Sequence, residues 1–198
     1  MHMPKENDLR VGCVVMAAGN AERFGENKLS AALGGRSLIE RALSAVPAEE
    51  LAAVCVVTQY DEAEQLAKEY GFTVVRNNRP QDGISRTVRL GTETLAEACD
   101  AIVFLVSDQP LLRRESVARL IGVFRENPDR IVAAAHSGRR GNPCVFPRKY
   151  FPALCALTGD VGGSAVIRAH ADELLLCEVG AEELTDVDTK ETLARLTE

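Results

Sequence analysis

Short apolar runs rich in Val and Ile alternate along this chain with stretches of helical periodicity, the pattern of βαβ units. Val11–Ala17 reads as a first buried strand that runs directly into a polar loop, Ala18–Leu29. Ser37 stands as the cap of a helix whose Leu38, Ile39 and Leu43 share one face, and Pro47 follows its end. Val54–Thr58 predicts a second strand, and Asp61–Tyr70 an exposed helix stopped by Gly71. Phe72–Val75 predicts a third strand, followed by the polar loop Arg76–Gly83. Ile84–Ala98 is helical, with Ile84, Val88, Leu95 and Ala98 on one side. Ala101–Val106 is the most apolar strand, and Glu115–Phe124 and Ile131–Ala135 continue the alternation.

The last third is less regular. Gly138–Gly141 reads as a loop, Cys144–Phe146 as a short strand, and Leu174–Val179 as extended chain. Arg148–Ala156, Val161–Ala169 and Thr189–Leu196 read as helices. No internal repeat or linker interrupts the 198 residues. The expectation is one α/β domain over residues 1–198, Rossmann-like, with three α/β/α layers around a mostly parallel sheet and a flexible lead over residues 1–10.

Composition narrows the function. Hydrophobic residues at 46% and charged residues at 26% describe a chain with a substantial core. A net charge of −6 argues against a binder of nucleic acids or anionic membranes, both of which need a basic face, so neither is expected as a partner. No stretch approaches the ~20 apolar residues of a membrane span, and polar Met1–Arg10 lacks the apolar centre of a signal peptide. The six cysteines form no CxxC pair, and several sit in apolar runs. They read as buried free thiols, which points to the reducing cytoplasm.

Ligands of open parallel sheets bind beyond the carboxyl ends of the strands. Three polar clusters fall there: Ala18–Lys28, Asn77–Thr87 and Ser107–Pro110. In the first, Ala18 and Gly19 have little or no side chain, so backbone N–H groups have close access to a phosphate. Arg23 offers a planar fork of donors and Lys28 a mobile point charge. Spacing alone also allows a solvated loop with surface cations. Neither GxGxxG nor GxxxxGK[ST] is present, which removes the usual grounds for a dehydrogenase or a P-loop ATPase. Asp108, at the end of the most apolar strand, suits Mg²⁺, which takes one or two carboxylates together with substrate phosphates. A turn or helix-cap aspartate is the plainer alternative. Asp186 and Asp188 flank Val187 and share one face in extended chain, as a second metal anchor or, with Thr189, as a helix cap.

The segment Val14–Leu29 resembles the signature LAAGxSxRMGxxK of the MobA-like NTP transferases. Within that group the chain is most similar to molybdenum cofactor cytidylyltransferases and their accessory relatives. Asn77–Gly91, Ser107–Pro110, Gly141-Asn142-Pro143 and Asp186–Thr189 resemble four further blocks of the family, in order. The resemblance implies a nucleotide-diphospho-sugar transferase type of fold. It also implies an NTP, CTP by the Ala17-Ala18-Gly19 start, held by Ala17, Ala18, Gly19, Arg23 and Lys28, with its base near Asn77, Gly83 and Thr87. Arg23, Lys28 and Asp108 would be catalytic, and Asp108 with Asp186, or with Asp188 as the alternative second anchor, would hold Mg²⁺ or Mn²⁺.

Asn142 and Asp160 would meet the acceptor, and the acceptor implied is molybdopterin. A transient contact with a molybdenum hydroxylase is the partner implied. Two positions depart from the pattern: Asn142 replaces a histidine, and Gly162-Gly163-Ser164 lacks the arginine of Gly-Ala-Arg. Arg139, Arg140 and Arg168 are nearby candidates to replace its charge. The function expected is transfer of CMP from CTP to the terminal phosphate of molybdopterin, with release of pyrophosphate. A nucleotidyltransferase for a sugar or polyol phosphate and a non-catalytic cofactor-binding accessory protein are the alternatives.

Overall fold

The computed structural model describes residues 9–19, 24 and 27–196. Strand β1 covers Val11–Ala17. A two-residue ribbon follows, β2 (Ala32–Leu33) against β3 (Arg36–Ser37), and leads into α1 (Leu38–Ser44). Ser37 caps α1 by accepting from the Glu40 amide at 3.3 Å. Strand β4 (Ala53–Thr58), helix α2 (Asp61–Glu69) and strand β5 (Thr73–Arg76) complete the first half. Helix α3 (Ile84–Leu95), strand β6 (Ala101–Val106) and helix α4 (Arg114–Glu126) come next. The last third holds β7 (Ile131–His136), β8 (Arg139–Pro147), α5 (Phe151–Cys155), α6 (Ser164–Ala169), β9 (Leu174–Glu178) and α7 (Lys190–Arg195).

The main strands form a seven-stranded sheet in the order β5-β4-β1-β6-β8-β7-β9. All neighbours are parallel except β8, which runs antiparallel to both β6 and β7. Alternation along the strands sorts the core. Val11, Cys13, Val15 and Ala17 pack toward Ile39, Leu43, Leu120 and Phe124 of α1 and α4. Val14 on the opposite face packs toward Val88 and Leu95 of α3 and Leu154 of α5. Helices therefore cover both sheet faces, the three-layer α/β/α arrangement expected from the chain pattern.

The expected Gly138–Gly141 loop is replaced by a hairpin. Ser137 (φ 49°) and Gly138 (φ 77°) make a two-residue turn, and Arg139–Pro147 all belong to β8. Arg139, Arg140 and Gly141 have no strand-like pattern of their own; their pairing with β7 comes from tertiary hydrogen bonding. Helices in this region are shorter than expected, with a 3₁₀ turn over Arg148–Tyr150 leading into α5 and another over Ala171–Glu173 following α6. Arg10 donates from its backbone amide and its guanidinium to Asp100, so the end of the expected flexible lead is tied down; residues 1–8 lie outside the described residues.

Chain order reverses between β1 and β6. Strand β4 lies on one side of β1 and β6 on the other, so the crevice beyond their carboxyl ends is the switch point of the sheet.

Candidate active site

At that crevice β1 ends in Ala18 and Gly19, and neighbouring strand ends hold this backbone by its carbonyls. Ser107 Oγ donates to Met16 O at 2.8 Å, Thr58 Oγ1 to Ala17 O at 2.9 Å, and Gln59 Nε2 to Ala18 O at 3.0 Å. Tyr60 Oη donates to Gly19 O at 2.8 Å. A row of carbonyls engaged this way fixes the loop's shape. Thr58, Gln59 and Tyr60 escaped sequence reasoning, and Ser107 was singled out only as part of its cluster; their signal is their place at the carboxyl ends of β4 and β6. Arg23 lies outside the described residues.

Lys28 opens a 3₁₀ turn whose first amides are capped by Asn27. Its ammonium lies 2.8 Å from Asp108 Oδ2 and 3.2 Å from Asp188 Oδ1, bridging residues 80 and 160 positions apart. Burial, the largest single influence, lowers the Lys28 pKa, but Asp108 and then Asp188 together outweigh it and hold the ammonium above its ordinary range. The C-terminal segment comes here because Val187 is fully buried with Phe24, Leu33 and Leu38, and its amide donates to Asp108 O at 2.8 Å. Buried Glu183 pins the same segment by accepting from the Arg113 amide and Ser116 Oγ at the start of α4.

Asp186, expected as the second acidic anchor, turns to Gln109, whose Nε2 donates to its Oδ1 at 2.9 Å. Asp188 takes the place beside Asp108 in the cleft wall. Asp186 remains electrostatically coupled to both: partial desolvation first, then Asp108 and Asp188, push its pKa upward against Lys28 and Gln109. The capping role belongs to Thr189, which accepts from the Thr192 amide, and not to either aspartate.

The cleft has a volume of about 610 Å³. Ala18, Gly19, Lys28, Asp108 and Asp188 line it together with Gly83, Thr87 and Asp160. Gly83 (φ 85°) starts α3 in close contact with Gly159, whose carbonyl accepts from the Ser85 amide at 3.2 Å. This contact joins the loop that leads into α3 to the loop carrying Asp160. Asn77 is buried rather than in the cleft lining. Its Oδ1 accepts from Arg79 N and Arg86 Nε, and its Nδ2 donates to Thr87 Oγ1 at 3.3 Å. It braces Thr87 from behind.

A second, small pocket of about 90 Å³ adjoins the cleft and shares Met16, Ile84 and Val106 with it. Asn142 and Ser164 line it, as does Arg140, whose Nη2 donates to Ser164 Oγ at 2.9 Å.

Among the described residues no group of three or more His, Cys, Asp or Glu is placed to hold a metal unaided. The carboxylates of Asp108 and Asp188 nevertheless bracket a cation, the Lys28 ammonium. That donor set fits a hard divalent ion that takes its remaining ligands from phosphates and water. Among the described residues no helix is long and apolar enough to cross a membrane.

A model of the MobA-like NTP transferase domain matches residues 13–174. The chain is 25% identical to the purine catabolism protein PucB of Bacillus subtilis over 193 residues, covering 90% of this chain and 91% of that protein. It is 27% identical to a molybdenum cofactor guanylyltransferase of a Shewanella species over 70% of this chain and 68% of that one. The crystal structure of Rv0371c from Mycobacterium tuberculosis superposes with a TM-score of 0.80 at 21% identity, covering 96% of this chain and 97% of that one. The same protein has been solved in complex with manganese, with a TM-score of 0.74 at 20% identity over 95% of this chain and 97% of that one. The fold is that of the nucleotide-diphospho-sugar transferases.

Proposed function

Since the chain belongs to the MobA-like NTP transferase family and is a nucleotidyltransferase, we propose that it transfers CMP from CTP to the terminal phosphate of molybdopterin. The observation that carries this reading is the Lys28 ammonium held between Asp108 and Asp188 in the wall of the 610 Å³ cleft. The similarity to a molybdenum cofactor guanylyltransferase supports the acceptor, and the Ala17-Ala18-Gly19 start supports cytosine over guanine.

In the reaction an oxygen of the acceptor phosphate attacks the α-phosphorus of CTP. The bond from that phosphorus to the bridging oxygen breaks, and pyrophosphate departs. A phosphate monoester, with its second pKa near ~6, is already largely deprotonated at neutral pH and needs no protein base. The chain's task is alignment and charge balance. Lys28 turns from the carboxylates toward the triphosphate and stabilises charge on the leaving pyrophosphate. The Ala18-Gly19 backbone borders the phosphates, Arg23 adds a second cation, and Gly83 and Thr87, braced by Asn77, border the base. Asn142 and Asp160 meet the acceptor. Mg²⁺ or Mn²⁺, held by Asp108 and Asp188 with Asp186 beside them, would neutralise triphosphate charge. This acceptor implies delivery of the product to a molybdenum hydroxylase through transient contact, and the free thiols fit the cytoplasm.

The test is pyrophosphate release from CTP, GTP, ATP and UTP, with molybdopterin, a sugar phosphate or glycerol phosphate, with and without Mg²⁺. Release is expected with CTP, molybdopterin and the metal together. Release with GTP instead overturns the base assignment, and release with only a sugar or polyol phosphate overturns the acceptor. CTP binding without release under any condition overturns catalysis.

A further inference from the structure

Three charged side chains meet in the cleft wall, and the cation is the least exposed of them. Lys28 keeps 14% of its side-chain surface, against 24% for Asp108 and 41% for Asp188. Its ammonium sits in the notch between the two carboxylates, in hydrogen-bond reach of one oxygen from each. Asp186, turned to Gln109, feels the charge of both aspartates. Carboxylates gathered this closely repel one another, and a cation among them offsets that cost.

The partners differ in what they can do. Val187 is fully buried and its amide donates to Asp108 O, so the backbone under both aspartates is fixed independently of Lys28. The backbone of Lys28 is fixed as well. Leu29 after it is buried, and Asn27 before it accepts from the Leu29 amide and donates to Ser30 Oγ at 2.8 Å. The movable part is the flexible stem of Lys28, which lines the same cleft as the Ala18-Gly19 backbone. One mobile cation thus stands between a fixed pair of carboxylates and the place assigned to the triphosphate.

We propose that Lys28 is a displaceable counter-ion: its ammonium holds the place of the divalent ion between Asp108 and Asp188 until a triphosphate draws it away, so the site takes up metal with the nucleotide and resists metal alone. The two cations exclude each other. A divalent ion ligated by the same oxygens, at the ~2.1 Å that Mg²⁺ requires, would need the space of the ammonium and would repel its charge. One swing of the stem exchanges partners on both sides. The carboxylates trade an ammonium for a metal while the ammonium trades carboxylates for phosphates, and neither set of charges is left uncompensated. Nucleotide and metal then raise each other's affinity by the same factor. The proposal rests on the nucleotidyltransferase reading of the cleft and adds to it the order in which the site fills.

The test counts free Mn²⁺ by electron paramagnetic resonance as the full chain is titrated without nucleotide, for the wild type, Lys28→Met and Lys28→Arg. Lys28→Met should bind Mn²⁺ roughly tenfold to a hundredfold more tightly than wild type, the range for hydrogen bonds between charged groups that the metal no longer has to break. Lys28→Arg keeps a cation in the notch and should stay as weak as wild type. Adding Asp108→Asn to Lys28→Met should abolish the gain, and Mn²⁺ should raise the melting temperature of Lys28→Met more than that of wild type. Equal Mn²⁺ affinity of the wild type and a folded Lys28→Met overturns the counter-ion role. So does a manganese anomalous peak on Asp108 in wild-type crystals soaked without nucleotide, with the ammonium still between the aspartates. Calorimetry with CTP and Mg²⁺ together stands apart from these arms: a wild type that binds no nucleotide there overturns the reading of the cleft itself.

Discussion

Replacing Gly83 with alanine tests whether the start of α3 is locked against the Gly159–Asp160 loop in the cleft lining. The added Cβ would stand 2.3 Å from Gly159 O, 2.4 Å from Gly159 C and 2.7 Å from Asp160 N. All three are backbone atoms, so no side-chain rotation relieves the clash. The residue also sits at φ 85° and ψ −179°, a conformation nearly restricted to glycine. Backbone strain of this kind costs about 1–3 kcal/mol, and overpacking against fixed atoms costs about 1–3 kcal/mol more. A sum near 4 kcal/mol lowers the melting temperature of a chain this size by about 8–16 °C. The control is Gly122→Ala in α4, where a Cβ meets nothing within 4 Å. In a helix interior that change should stabilise by about 1 kcal/mol. Differential scanning calorimetry reads both, and calorimetric titration with CTP should show weaker binding by the Gly83 variant, because the clash displaces the start of α3 and with it the Gly83 and Thr87 lining of the cleft. A Gly83→Ala melting temperature within 1 °C of wild type would refute the packing argument.

Lys28→Met should reduce pyrophosphate release at least about a hundredfold, the usual cost of removing one preorganised donor to developing charge; turnover near the wild-type rate removes its role. Asp186→Asn keeps an oxygen for Gln109 but removes a carboxylate whose pKa is raised in the folded state. The folded protein therefore holds that proton at higher pH than the unfolded chain, and wild-type stability falls as pH rises from the ordinary aspartate range through the raised value. Urea denaturation should find Asp186→Asn more stable than wild type at pH 7, with the difference vanishing near pH 3; no difference at pH 7 contradicts the shift. Burial pushes the Cys55 thiol to about 12 and the Cys144 thiol to about 11. A thiol-reactive dye at pH 8 should label the less buried Cys155 first, and the other five cysteines only on unfolding, as mass spectrometry of the labelled peptides would show.

The first two-thirds of the fold was legible because β1, β4 and β6 are buried on both faces and announce themselves as apolar runs. The helices between them carry recognisable caps, such as Ser37, and stops, such as Gly71 at φ 74°. The hairpin through Ser137 and Gly138 was not legible, since Arg139 and Arg140 join a strand only by pairing with β7. At the site, Lys28 and Asp108 were readable from their places after β1 and β6, and the structure brings them within 2.8 Å. The division of labour between Asp186 and Asp188 was not. It depends on burial of Val187 and on Gln109, tertiary facts without a local signal. Asn77 likewise looked like a loop residue free to meet a ligand, yet three neighbours consume its amide.

Crystals grown with Mn²⁺ and a non-hydrolysable CTP analogue, measured at the manganese absorption edge, test the core of the account. The anomalous peak should lie in direct contact with the Asp108 carboxylate, with the triphosphate against Ala18-Gly19 and the Lys28 ammonium turned onto its phosphates. A peak remote from Asp108, with Lys28 still clasped between the two aspartates and the nucleotide bound elsewhere, would contradict it.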